Sequence, residues 1–206
     1  MGDVKQAWSD FLNPDVVRLK FISSGLFMTA HEVLMDSIKR HPLNFFTDIF
    51  DIDSVKPCKK YRDAVLSLDP KGKMDPLRGS IAWLRSMNVI DSDDEDIIKN
   101  STEHRNRLAH ELMGLMAGRH APDYMLAFQA VYALIAKIER WWIVNFHMDV
   151  LDQDLPPGAD VDDIIPGPIV SLQMLADVAL TEGQGAWELH KIFERIWVTV
   201  GDDGAK

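Results

Sequence analysis

Apolar residues recur at helical spacing along nearly the whole chain, and no alternating run bounded by turns interrupts them. The pattern predicts an all-α protein. A short helix is expected over Val4–Leu12, closed by Asn13-Pro14. A long one follows from Asp15 to Arg40, with an apolar stripe through Leu19, Ile22, Leu26, Ala30, Val33 and Ser37. His41-Pro42 marks its expected end, because the residue before a proline is pushed out of helical dihedrals. The stretch from Pro42 to Lys73 is less regular, with a helix expected around Pro57–Leu68 and a turn at Asp69-Pro70-Lys71-Gly72.

Asp75–Met87 reads as the next helix, with Pro76 in the first turn, where its missing N–H costs no hydrogen bond. Ser92-Asp93-Asp94-Glu95 has the form of a capping box, with extra carboxylates favoured at the positive end of the helix dipole. That helix is expected to reach Ala117 and stop at Gly118; Ala121-Pro122-Asp123 opens another, to about His147. Long amphipathic helices joined by short connections suit an antiparallel up-and-down bundle over residues 1–148. From Asp149 to Gly167 the text turns acidic and rich in proline and glycine. Helices at Ile169–Leu180 and Ala186–Val198 follow, then a polar end, Gly201–Lys206. Residues 149–206 are therefore expected to be an acidic connection and a helical extension packed on the bundle.

Composition narrows the picture. A chain of 206 residues, 47% hydrophobic with six tryptophans, builds one domain with a sizeable core and is not disordered as a whole. The single cysteine, Cys58, excludes an intramolecular disulfide framework and suits a reducing cytosol. The opening residues lack the basic-then-apolar order of a signal peptide, and no run approaches the roughly 18 apolar residues of a membrane span. The expectation is a cytoplasmic protein with no membrane partner. A net charge of −10 argues against a sequence-blind nucleic-acid binder. The charge is uneven, however: from Lys56 to Arg85 there are eight basic against three acidic side chains. That segment, Lys59, Lys60 and Arg62 included, forms either a local surface for an RNA backbone or merely solvated helix faces.

Candidate chemistry concentrates in Glu103-His104-Arg105-Asn106-Arg107-Leu108-Ala109-His110-Glu111-Leu112. At about 100° per residue, Ile97, Ser101, Arg105, Leu108, Leu112 and Leu115 share one broad helix face, so Arg105 sits on or beside the apolar stripe. There it requires a carboxylate, backbone carbonyls, an interface or a phosphate ligand. Asn106 and His110, four apart, can meet; Arg105 and His110, five apart, lie about 140° around the helix and need a cleft or a second copy to converge. An imidazole beside a guanidinium can cleave RNA through the neighbouring 2′-hydroxyl, the first moving protons and the second neutralising phosphate charge, with no metal or other cofactor.

Arg105, Asn106 and, four residues after it, His110 resemble the signature of the HEPN superfamily, small helical proteins of which many are metal-independent ribonucleases. The helical layout is similar over roughly Asp15 to His147. The resemblance implies a homodimer paired through the motif helix, Arg105 and His110 as the catalytic pair, and Asn106 in support. It also implies a toxin–antitoxin or phage-defence setting, with a protein antitoxin or regulator as a further partner. Some relatives carry a modifiable tyrosine two places after the histidine; Leu112 stands there, so that mode of regulation is not expected.

Other conspicuous residues have plainer readings. Arg107, flanked by Glu103 and Glu111 at four-residue spacing, is a surface ion-pair residue or an RNA contact; His104 is structural or faces the cleft. His31-Glu32 and His110-Glu111 lack the second histidine of a zinc-protease motif, and the Asp91–Asp96 cluster lacks the glycine of a calcium loop. Trp141-Trp142 read as core or interface packing, and Cys58 as an inert thiol. Two rivals to the ribonuclease remain open: a non-catalytic module binding a protein or nucleotide partner, with Arg105 structural, and an assembly protein whose acidic tail makes the contact.

Overall fold

Asn13 closes one helix and opens the next. Its N–H donates to the Asp10 carbonyl, while its Oδ1 accepts from the amides of Asp15 (3.0 Å) and Val16 (3.4 Å), with Pro14 in the first turn. In the computed structural model, which describes residues 2–47, 58–116, 123–147 and 160–192, these helices are α1 (Gly2–Leu12) and α2 (Pro14–Phe46). They are followed by α3 (Lys59–Ala64), α4 (Pro76–Ser86), α5 (Ser92–Met116), α6 (Tyr124–Trp142) and α7 (Gly167–Leu180). The described residues are all-α, with no strand among them. None of the described helices is long and apolar enough to cross a membrane.

Three local expectations are corrected. Helix α2 does not stop at Arg40 but runs through the buried Pro42 to Phe46. Interior proline costs a helix about 3 kcal/mol, and packing beyond it opposes that cost. Phe45 meets Phe146 (centroids 4.6 Å apart), and Phe46 meets Trp83 edge-on (5.9 Å). The cap of α5 is one residue earlier than Ser92: Asp91 Oδ1 accepts from the amides of Asp93 (2.9 Å) and Asp94 (3.1 Å), and Asp94 Oδ2 accepts from the Asp91 amide (2.9 Å). Lys137 of α6 bridges both carboxylates, which favours this register; the Asp94 contact and the Lys137 ammonium hold the Asp91 carboxyl down at about 2. Finally, the helix expected over Pro57–Leu68 breaks at Val65 into α3 and a 3-10 turn, Leu66–Leu68.

That break is where α4 docks. Gly79 approaches so closely that an added Cβ would stand 2.7 Å from the Val65 carbonyl oxygen. The turn before α4 is organised by Asp69, whose buried carboxylate takes Arg78 at 2.7 and 3.0 Å and the amides of Lys71, Lys73 and Asp75. Arg78 above all holds that carboxyl far below the usual range.

The principal pairing is α2 with α6, and it runs parallel. Phe27 faces Tyr124, Ser37 and His41 reach Glu139, and Phe45 reaches Phe146. Helix α5 runs antiparallel to both, with Ser101 beside His31, His104 beside Phe27, and Asp94 beside Lys137. Phe27, Leu34, Ile38, Leu84, Leu134, Ile135 and Ile138 are sealed inside. Trp83 and Trp142 stack at one end of this core, buried as packing residues, and α7 adds Ile169 and Leu172 from one side. The expected stop at Ala117-Gly118, the opening Ala121-Pro122, the stretch from Asp149 to Ala159 and the helix beyond Ile192 lie outside the described residues; the part of that last helix described begins as a 3-10 turn, Gly183–Trp187.

Gly79→Ala is expected to destabilise the fold by about 1–3 kcal/mol, since backbone rather than a flexible side chain must yield. Urea unfolding of the variant beside wild type measures it.

Candidate functional site

The motif helix is oriented by a buried polar contact. Ser101 donates its hydroxyl proton to the Ile98 carbonyl (2.9 Å), which leaves the oxygen to accept from Nδ1 of buried His31 at 3.3 Å. One turn on, Arg105 points along α2 to Glu32, with Nε 3.8 Å from Oε1, and Nη1 donates to Asn106 Oδ1 at 3.5 Å. The Arg105 and Glu32 side chains are 40% and 64% exposed. An ion pair this long and this wet is worth at most about 1 kcal/mol, so a phosphate can displace the carboxylate.

His104 turns the other way, into a buried aromatic group. Its ring lies 6.1 Å from Phe27 and 6.2 Å from Tyr124, both edge-on. His104 Nδ1 and the Tyr124 hydroxyl are buried with no hydrogen-bond partner among the described residues. Burial pushes His104 down, with the Arg107 charge adding to it, and pushes Tyr124 up. Burial likewise lowers His31, opposed by Glu32 and assisted by Arg105. His104 is thus oriented as a packing residue rather than a solvent-facing contact.

Asn106, Ala109 and His110 are exposed, and beyond them Leu112 and Met113 (72% exposed) present apolar surface. Helical dihedrals fail at Glu111 (φ −124°, ψ 16°), immediately after His110. The interruption comes too late to swing His110 toward Arg105, so the two keep their separation of about 140° around the axis. The chain joins Asn106 to Arg105 by a hydrogen bond and sets Asn106 and His110 on one edge; it does not bring Arg105 and His110 together.

The other proposed RNA contacts lie elsewhere. Lys59, Lys60 and Arg62 are exposed on α3, which begins where Cys58 caps it and donates to the Phe46 carbonyl, at the far end of α2. From Glu32 to Phe46 is about 21 Å along the helix axis. Within the same basic segment, Lys59 pairs with Asp63, Arg78 with Asp69 and Arg85 with Glu95, which dilutes its positive field. Among the described residues no group of three or more His, Cys, Asp or Glu could hold a metal ion.

Sequence reasoning missed Glu32, His31 and Tyr124 as neighbours of the motif. The only signal was His31-Glu32 falling on the stripe-bearing helix; their approach to Ser101 and Arg105 spans some seventy residues. Comparison with protein-family models, with curated proteins and with solved structures finds no match. The class that the structure defines is an all-α protein whose interrupted helix sets Asn106 and His110 on one solvent-exposed edge, with Arg105 about 140° around the axis from His110.

Neutral burial of His31 and His104 makes stability depend on pH. Their folded pKa values lie below the ordinary value near 6.5, so the unfolded chain binds protons first. Stability present above pH ~6.5 is expected to be lost as pH falls through 6.5 toward the folded values. Denaturant titrations from about pH 7.5 to 5 should show that fall, shallower in His104→Phe.

Proposed function

We propose that the protein is a metal-independent endoribonuclease of HEPN type that acts as a homodimer. The observation that supports this most is the openness of Arg105: its carboxylate neighbour, Glu32, is exposed and 3.8 Å away, and Asn106 and His110 stand on the solvent side with it. A guanidinium serving structure alone would be locked to a buried carboxylate. Because Arg105 and His110 diverge on one helix, the cleft needs a second motif helix beside the first. Exposed Leu112 and Met113, next to His110, supply apolar surface for such a pairing. The up-and-down bundle of that superfamily is part of the same reading.

In that cleft His110 takes the proton of the ribose 2′-hydroxyl, the oxygen attacks phosphorus, and the P–O5′ bond breaks. The departing oxygen takes a proton from the second imidazole or from water, leaving a 2′,3′-cyclic phosphate and a 5′-hydroxyl. Arg105 neutralises the phosphorane oxygens, and Asn106 orients its neighbours. RNA is the substrate, and the toxin–antitoxin or phage-defence setting, with its antitoxin or regulator, rests on the resemblance alone. The acidic body favours a substrate bound through local contacts rather than general affinity for RNA.

Purified wild type in EDTA is expected to cut total RNA, and His110→Ala to lose at least ~100-fold in rate while keeping its melting temperature. Cleavage at the wild-type rate by the pure variant removes His110 from the site. Met113→Asp, on the exposed apolar surface, is expected to give a monomer by light scattering and to lower cleavage in parallel.

A further inference from the structure

A second face of α2 carries chemistry that the motif does not use. Across from α7 it borders a cavity of about 720 Å³, within the usual size range of small-molecule sites. The polar end is already assembled: Glu139 of α6, 6% exposed, accepts from the Ser37 hydroxyl at 2.5 Å and lies 2.9 Å from His41 Nε2. Ser37 is equally buried, and His41 stacks on buried Trp142 with ring centroids 5.1 Å apart, so the carboxylate is oriented before any ligand arrives. Val33 from α2 and Pro168, Leu172 and Leu175 from α7 form an apolar wall.

The charge balance selects the ligand. Glu32, which also lies 3.8 Å from Arg105, and Asp36 border the cavity as well, and Arg40, the arginine among the described lining residues, is engaged with Asp36 at 3.0 Å. Among the described lining residues three carboxylates thus face one guanidinium and one imidazole, in a recess whose apolar wall focuses the field. An anion is repelled there, and a wholly apolar molecule would leave the oriented carboxylate buried without gain. We propose that this cavity binds a small organic amine, with its ammonium among Glu139, Glu32 and Asp36 and its hydrocarbon body against Val33, Leu172 and Leu175. None of Arg105, Asn106 and His110 lines it, although Glu32 borders the cavity and also neighbours Arg105.

Isothermal titration calorimetry of the full chain with 2-phenylethylammonium, neutral 2-phenylethanol and anionic 3-phenylpropanoate tests the assignment. The ammonium is expected to saturate one site at least ~10-fold more tightly than the alcohol, and the carboxylate not to bind. Glu139→Gln should erase the preference for the ammonium. The exposed pair Glu32→Gln with Asp36→Asn, which leaves the core untouched, should weaken the ammonium by about fivefold and leave the alcohol unchanged. The proposal is overturned by equal affinity for alcohol and ammonium, by no saturable ammonium binding up to about 10 mM, or by wild-type ammonium affinity in the double variant.

Discussion

The parallel packing of α2 on α6 is the constraint on which the remaining elements depend. Leu34, Ile38, Leu134, Ile135 and Ile138 are sealed within the core, and each buried side chain of this size contributes roughly 1.5–3 kcal/mol. Two parallel neighbours need a return path, and α5 supplies it by running antiparallel to both. Lys137 ties the start of α5 to α6, while Ser101 and His31 tie its middle to α2. The motif edge is therefore held on a rigid body up to the interruption at Glu111.

Glu32 is where two surfaces of α2 meet. It lies beside Arg105 and also borders the cavity beneath α7. A charge at this position acts on both, because neither surface is shielded from it by core. The two regions otherwise use different chemistry. The motif edge is open, with an arginine, an amide and an imidazole in solvent; the cavity is recessed, with a buried carboxylate oriented by a hydroxyl and an imidazole. Phosphate suits the first and an ammonium the second.

Much of the fold was legible because helices advertise themselves locally. Asn13-Pro14 was readable as the close of the first helix, and Asp75-Pro76 and Asp123 as helix starts; the Asn13, Asp75 and Asp123 side chains each cap the helix that follows, as their residue type predicts. The errors share one cause. At Pro42, at Asp91 and at Val65 the local preference was overridden by a contact from far along the chain: Phe146 and Trp83, Lys137, and Gly79 respectively. Trp141 and Trp142 read correctly as packing, since an apolar helix context is itself a local signal.

The candidate site divides along the same line. The sequence by itself determined the all-α class, the helix that carries Arg105, Asn106 and His110, and the angle of about 140° between the arginine and the histidine, since helical geometry depends only on residue spacing. Only the tertiary structure decided that Arg105 faces an exposed Glu32, that His104 turns inward to Phe27 and Tyr124, and that Lys59, Lys60 and Arg62 lie at the far end of α2. It alone joined Ser37 and His41 to Glu139, about a hundred residues away. Spacing along a helix is set by backbone hydrogen bonds between near neighbours, whereas the partner across an interface is set by which distant apolar faces pack together.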